Sequence, residues 1–527
     1  MAMLLYNLTN QFTNPQDTNM RVFTGVVGTL AVGLLLKAIT GPYEKNSSSA
    51  NEYGSITRPL PSPPGALPLI GHIGYLIRSP HLQMAEWAQK LGPIYRVSLG
   101  QRDYLILNNA EVVREILEVR GKINSDRVPT TIVELMSKSG LIFAWGNENA
   151  FLKKSRRLLL SAISKRNFER KYPQLYNKET KEMICHIYRS VTEPEGMPLH
   201  AYAYLYTINM AMSLLYGTRY VSLDDVAWKE LYDLAVDFSH LGMAMLIECP
   251  KPLEFLVGHL KDDAKKLQLR FQKIFGHYNN ILRDAIANGK PIECLMNDII
   301  KDEEKENLTP IELENIAATI MIAATDTTAI TLQNLFIILL NHPDVQSKAQ
   351  AELDAIIGSE RLPVEEDLIC LPYIKAIITE TIRFRPPIFL NLPHSTREYQ
   401  TYRGYEIPAN MGILHNIYAT NFDPTIYHQP HVFDPERFHN SSETDQRDHW
   451  SFGAGRRLCP GNVFAEKSLA LIAARVLWAF TIVAPTVNGK PVQVPITDIS
   501  LPVQEPAHVN IAFIPRRDNL EKLLFSS

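Results

Sequence analysis

Hydrophobic and polar positions change their period several times along this chain. The first apolar run is continuous: Val22 to Leu36 (VFTGVVGTLAVGLLL) carries no charge, with Arg21 before it and Lys37 after it. With Lys37 snorkelling, the span reaches Thr40; about 19 residues at ~1.5 Å rise give roughly 28 Å, close to a bilayer's hydrocarbon thickness. A secretory signal is the competing reading. Against it, a leading segment of about twenty residues precedes the run, and no clear small-residue cleavage site follows. The pattern predicts an anchor over 21–40, a leading segment over 1–20 and a polar, proline-rich linker over 41–66. Lys37, Lys45 and Arg58 follow the span, whereas only Arg21 lies close before it. That asymmetry puts the bulk of the chain in the cytosol and the leading segment in the lumen, where Asn7-Leu8-Thr9 is a glycosylation sequon. The linker ends in Pro59-Leu-Pro-Ser-Pro-Pro-Gly65, a stiff, extended strut.

Beyond residue 66 the periods shorten. Ile94–Gly100 and Tyr104–Leu107 predict a strand pair around the polar turn Gln101-Arg-Asp103. Most of the remainder to about 385 has helical spacing. It predicts helices over 110–120, 150–166, 172–192, 223–240, 262–288, 310–340, 343–357 and 370–384. After 386 the chain is irregular and proline-rich. It becomes helical again near 461–480 and ends in strand-like pieces such as His508–Phe513. No repeat and no linker divides this part, so residues 67–527 are expected to form one large domain, mainly α with small β-sheets.

Composition narrows the function. The chain has 527 residues, 46% apolar and 21% charged, with 53 basic against 56 acidic residues and a net charge of −3. That balance argues against nucleic acid as a partner, because phosphate binding relies on clustered cations. The cysteines are Cys185, Cys249, Cys294, Cys370 and Cys459. They are odd in number, scattered and without a CxxC pair, which is neither a disulfide framework nor a zinc site. A reducing compartment leaves such thiols free to bind metal.

Cys459 has the most informative surroundings: Phe452-Gly-Ala-Gly-Arg-Arg-Leu-Cys-Pro-Gly461, followed by a helical run from Asn462 to Phe480. Glycines at 453, 455 and 461 permit tight backbone and close approach to a ligand. A sulfur held just before a helix N-terminus meets amide donors and a favourable dipole, which predicts a thiolate. This segment resembles the haem-binding loop of the cytochrome P450 superfamily, F-x-x-G-x-R-x-C-x-G, at each fixed position: Phe452, Gly455, Arg457, Cys459 and Gly461. The resemblance implies Cys459 as the iron ligand of haem b, Arg457 on a haem propionate, and Phe452 with Gly453 packed at the sulfur side.

Other segments fit the same resemblance. Glu380-Thr-Ile-Arg383 places both charges on one helix face, and Pro435-Glu-Arg-Phe438 follows about fifty residues later. Together they are similar to the family's buried Glu380–Arg383–Arg437 network, implied to brace the cysteine loop. Within the apolar stretch Ile311–Leu340 lies Ala323-Ala-Thr-Asp-Thr-Thr328, whose acid and hydroxyls are costly to bury without partners. It resembles the oxygen-activation motif, with Asp326 and Thr327 on the acid and alcohol positions and Ala324 where glycine is commonest. Leu152-Lys-Lys-Ser-Arg156 stands where the family often has W-x-x-x-R. The tryptophan is missing; Arg156 is the implied propionate ligand, with Lys153 second. His394 either bonds a propionate or caps a turn.

The resemblance implies a monooxygenase in which Asp326 and Thr327 relay protons and NADPH supplies electrons through a separate reductase. Lys153, Lys154, Arg156 and Arg157 form a basic cluster that suits an acidic flavoprotein or is simply a solvated helix face. The implied pocket draws on Asn124–Leu141, the 236–250 region, Ala317–Thr327, Ile388–Leu392 and Ile499–Val503. It would expose Ile320, Ala323, Ile388, Phe389, Leu390 and Val503 to a lipophilic small molecule, with Asn391 as a hydrogen-bond donor. The chain resembles endoplasmic-reticulum members from filamentous fungi that tailor secondary metabolites such as indole alkaloids or polyketides. Two alternatives stay open: a haem-thiolate isomerase, dehydratase or coupling enzyme, and a haem protein that senses or carries a ligand.

Overall fold

The structure is a computed structural model and describes residues 57–525 apart from 139, 163–172, 242–247, 250, 252–256 and 440–447. The expected anchor, Asn7 and most of the linker lie outside the described residues.

The helices that position the site are α1 (Ala150–Ala162), α2 (Leu199–Tyr216), α3 (Val226–His240), α4 (Pro310–Asn341), α5 (Pro372–Phe384) and α6 (Asn462–Ala479). Helix α4 starts where the chain says it should. Thr309 caps it, the Glu312 carboxylate reaches back to the Thr309 amide at 2.8 Å, and Pro310 fills the first turn. This helix is apolar over most of its surface and therefore mostly buried, with Ala323 and Thr327 as open positions in its middle. Among the described residues it is the one helix long and apolar enough to cross a membrane, yet 72% of its apolar window is buried inside the protein. It is the core helix.

Helix α2 packs along α4 and is missing from the expected set. The reason is its composition: Leu199–Tyr216 is buried on nearly every face, so it has no polar stripe to mark a period. The expected helix at 110–120 divides. Asn109 caps Ala110–Val113, accepting from the Val112 amide at 2.9 Å, and a π-helical turn follows over Arg114–Val119.

A sheet of β1 (Ile94–Leu99), β2 (Arg102–Leu107), β3 (Asp126–Arg127), β4 (His394–Ser395) and β5 (Gly412–His415) has the order β1-β2-β5-β4-β3. β1 and β2 are antiparallel, from Ile94 opposite Leu107 to Leu99 opposite Arg102. The second strand thus begins two residues earlier than the alternation suggests, with Gly100 turning at φ +65°. β3 against β4 sets Arg127 opposite His394. Near the C-terminus, Asn510–Pro515 pairs with Phe480–Val483 and Met197–Pro198; His508 precedes the strand rather than starting it. The architecture is mainly α with small sheets, as the patterning predicts.

Candidate active site

The cysteine loop is folded by its glycines. Gly453 and Gly455 have φ of +75° and +61°. A Cβ on Gly455 would stand 1.9 Å from the Leu117 carbonyl oxygen, in the π-helical turn. The loop is therefore pressed against that turn at a contact only glycine allows. The Cys459 amide donates to the Phe452 carbonyl at 3.0 Å, closing the loop just before α6. Burial pushes the Cys459 thiol up, while the Gly461 amide, Arg156 and the Asn462 amide pull it down. The net direction is upward. Desolvation outweighs them. A metal ion at the sulfur would supply the missing compensation, since a coordinating thiol is deprotonated outright.

Beside the loop opens a cavity of about 400 Å³, and Arg127, Arg156, Arg457 and His394 all reach its wall. The three guanidiniums make no ion pair among the described residues. They are held by carbonyl oxygens instead. Arg127 donates to Ala144 at 2.9 Å and Leu392 at 2.7 Å, and Arg457 to Ser125 at 2.8 Å and Gly146 at 2.7 Å. Arg156 donates to the Leu458 carbonyl at 3.3 Å. Burial, then mutual repulsion, lowers Arg127 well below its ordinary value and Arg457 to about 10. Buried cations without a counter-ion are expensive. A dianionic group such as a pair of haem propionates is the partner this cluster fits.

His394 lies on the cavity wall within β4 and does not cap a turn. Its Nδ1 is 3.0 Å from the Asn124 carbonyl, and burial with Arg127 nearby holds the ring well below its ordinary value. The neutral ring spends its proton on that carbonyl, so Nε2 donates only when an anion beside it draws in a second proton. Nothing local in the sequence sets Arg127 apart as a site residue. Its signal is a charge in the apolar-edged stretch Ser125-Asp-Arg-Val-Pro129, which becomes informative only once β3 pairs with β4.

Helix α4 forms another wall. Ala323 and Thr327 are its open positions there, and the Thr327 hydroxyl donates to the Ala323 carbonyl at 2.7 Å. Asp326 is held from behind: Tyr204 of α2 donates to its Oδ1 and Ser239 of α3 to its Oδ2. Burial raises the Asp326 carboxyl, and Ser239, Tyr204 and His240 oppose that rise. Burial and the Asp326 charge also push Glu505 up to about 7. Tyr204 and Ser239 escaped sequence reading because they stand 122 and 87 residues from Asp326.

Glu380, Arg383 and Arg437 come together. Arg383 grips Glu380 twice, at 2.6 and 2.7 Å, and Arg437 reaches the same carboxylate at 3.2 Å. Arg383 also donates to the Asn421 carbonyl at 2.8 Å. The Asn421 side chain then accepts from the Trp450 amide at 2.9 Å and donates to Ser451 at 2.9 Å. That chain of bonds ends one residue before Phe452.

Of the expected pocket residues, Ile320, Ala323, Ile388 and Asn391 line the cavity. Phe389, Leu390 and Val503 do not. Phe389 is fully buried and stacks on His81 with ring centres 4.7 Å apart, because successive side chains of an extended segment point to opposite sides. Leu390 packs into the core cluster of the β1–β2 region. Val503 pairs its backbone with Ile388 and leaves its side chain 38% exposed. Asn391 Oδ1 accepts from the His415 amide at 2.8 Å, leaving Nδ2 without a partner among the described residues.

The basic cluster is largely answered within the chain. Lys153 pairs with Glu148 at 3.4 Å, Arg157 with Glu306, and Lys154 donates to the Asn307 carbonyl at 3.0 Å. Arg156 alone turns inward.

Residues 61–508 match the family described as Cytochrome P450. Cytochrome P450 monooxygenase 69 of Postia placenta is 30% identical over 474 residues, covering 81% of this chain and 84% of the relative. Cytochrome P450 monooxygenase fogE of Aspergillus ruber is 31% identical over 441 residues, covering 80% of each. A solved zebra fish cytochrome P450 structure with progesterone shares the fold, with a TM-score of 0.71 at 21% identity over 83% of this chain and 99% of that one. With a match spanning the strut, the helical core and the cysteine loop, the chain belongs to the cytochrome P450 family.

Proposed function

We propose that this enzyme inserts oxygen into a lipophilic small molecule, most simply as a hydroxylation, using NADPH-derived electrons delivered by a separate reductase. One observation carries the reading: Cys459 from the loop and Asp326 with Thr327 from α4 line the same cavity. Haem b, the family's cofactor, when bound supplies dioxygen activation at a thiolate-ligated iron. Arg127, Arg156, Arg457 and His394 orient that group through its propionates. Thr327 stands on the open face of α4; its proton goes to the Ala323 carbonyl, which leaves Oγ1 to accept a hydrogen bond from the cavity side. Asp326, held by Tyr204 and Ser239, exchanges protons with that hydroxyl side through water.

The remaining wall is apolar, with Ile320, Ala323, Ile388, Leu214 and Phe238, and it excludes water around a greasy substrate. Asn391 Nδ2 is the donor for an oxygen on that substrate. A bulky lipophile fits this wall, and solved relatives are described with progesterone and abiraterone. The fungal relatives support a fungal secondary metabolite such as an indole alkaloid or polyketide. The uncharged run Val22–Leu36 supports anchoring in the endoplasmic reticulum with the catalytic part in the cytosol. Near the cysteine loop, Lys122, Lys153, Arg397 and Arg456 outnumber Asp126 and Glu148, and that surplus of positive charge supports docking of an acidic reductase there, although Lys153 and Arg456 share Glu148.

Reconstitution with an NADPH-dependent reductase and a panel of lipophiles tests the reading. NADPH consumption matched by oxygenated product is expected. Conversion of a lipophile without NADPH points to an isomerase or dehydratase; tight binding with no turnover points to a sensor or carrier.

A further inference from the structure

Near the start of α2, the oxygenase reading leaves a group of side chains unused. His200, Glu505 and His508 each offer a ligand atom, and the three atoms lie within 4.8 Å of one another. His200 is 7% exposed. Its Nε2 is fixed by the Tyr232 hydroxyl at 2.9 Å. Its Nδ1 is buried with no hydrogen-bond partner among the described residues, and the Glu505 carboxylate stands 3.9 Å away, beyond hydrogen-bond reach. The Gln333 side chain also approaches this ring and raises its proton affinity, without reaching hydrogen-bond geometry at Nδ1.

We propose that His200 Nδ1, Glu505 and His508 form a binding site for a divalent cation of the zinc class. Two imidazoles and a carboxylate are a donor set that borderline divalent metals favour over magnesium or calcium. A metal-bound imidazole is ordinarily oriented by a partner on its other nitrogen, and the Tyr232 hydroxyl occupies that place on His200. The buried, unpartnered Nδ1 is the observation that separates this group from a chance meeting of surface side chains. Such a nitrogen gives up water and receives nothing until a cation or proton fills the space. Zinc bonds of ~2.0–2.1 Å bring ligand atoms to roughly 3.3 Å from one another, so the three must draw together. His508 is exposed and Glu505 half-buried, and both precede the strand Asn510–Pro515, so they have room to close on the buried ring. The His200 and His508 rings stack, with centres 3.7 Å apart and planes at 29°, so the exposed His508 ring must turn for both in-plane lone pairs to meet one ion. A bound ion would stand behind Tyr204, whose ring centre is 4.8 Å from that of His200 and whose hydroxyl bonds Asp326.

Calorimetric titration of the haem-loaded, full-length enzyme with zinc chloride in chelator-free buffer tests the site, and it does not depend on turnover. One strong equivalent is expected, with magnesium giving no such isotherm. His508→Ala and Glu505→Gln should each weaken it by about tenfold or more, with the haem spectrum unchanged as proof of folding. Absence of strong binding, or the same isotherm in the wild type and in His508→Ala, overturns the proposal.

Discussion

The hydroxyl of Tyr204 donates to the carboxylate of Asp326, tying the largely buried helix α2 to the acid at the middle of α4. Ser239 of α3 donates to the other oxygen, so three helices converge on one carboxylate. Burial raises that carboxyl and the two hydroxyls restrain the rise. In Tyr204→Phe one restraint is gone, so the Asp326 carboxyl rises further and protonates at higher pH. Haem binding should be kept. Peroxide released per NADPH should increase, first at the acidic end of the pH profile. Coupling unchanged across pH would remove Asp326 from the proton path.

Glu380 is completely buried and holds two guanidiniums together with the Asp434 amide. Glu380→Gln leaves Arg383 and Arg437 without their charge partner inside the protein. The expected loss is about 3–5 kcal/mol, read as a lower denaturant midpoint. Haem content should fall with it, because the same network runs through Asn421 to Ser451. A variant with wild-type stability would show that the network is not what braces the loop.

Two glycines two residues apart separate contact from conformation. Gly455→Ala puts a Cβ 1.9 Å from the Leu117 carbonyl oxygen, while a Cβ on Gly453 meets nothing within 4 Å. Both residues have positive φ, so both variants bear a strain of about 1–2 kcal/mol. Only Gly455→Ala must also push the loop off the π-helical turn. It should express with little bound haem, whereas Gly453→Ala should stay nearly loaded. Equal haem occupancy in the two would contradict the close packing of loop on turn.

Much of this site is legible in the chain, and its legibility follows distance along the sequence. The cysteine loop shows itself because its requirements fall within ten residues: positive-φ glycines, a cation and the sulfur are neighbours. Helix α4 announces its start through Thr309, Pro310 and Glu312. Helix α2 is silent because a helix buried on every side loses its polar stripe. The partners of Asp326 and the third guanidinium, Arg127, come from elements remote in sequence, so only the packing of α2 and the pairing of β3 with β4 reveal them. Ile388 and Phe389 show the same limit at smaller scale. Both are apolar, and only the direction of each side chain decides which one faces the cavity.

His81 gives the fold a pH dependence of its own. Its Nε2 lies 2.8 Å from the Ile499 carbonyl, its ring stacks on Phe389, and burial holds it near 4 against an ordinary 6.5. Between pH 6.5 and 4 the unfolded chain takes up a proton that the folded chain refuses. This contribution is therefore complete above pH 6.5 and is lost as pH falls toward 4. His81→Gln should flatten the fall of the thermal midpoint across that window. The half-buried His186, whose value is also lowered, retains its part of the slope. An unaltered slope would rule His81 out as a source of the acid sensitivity.

The central claim is that Cys459 holds the iron of haem b. Its most direct measurement is the absorption spectrum of the reduced, CO-bound Cys459→Ala variant beside the wild type. The wild type should show the red-shifted Soret band that marks thiolate ligation, and the variant should lack it while retaining its helical circular dichroism. The same band in Cys459→Ala would mean that another sulfur binds the iron, and the account built on this loop would be wrong.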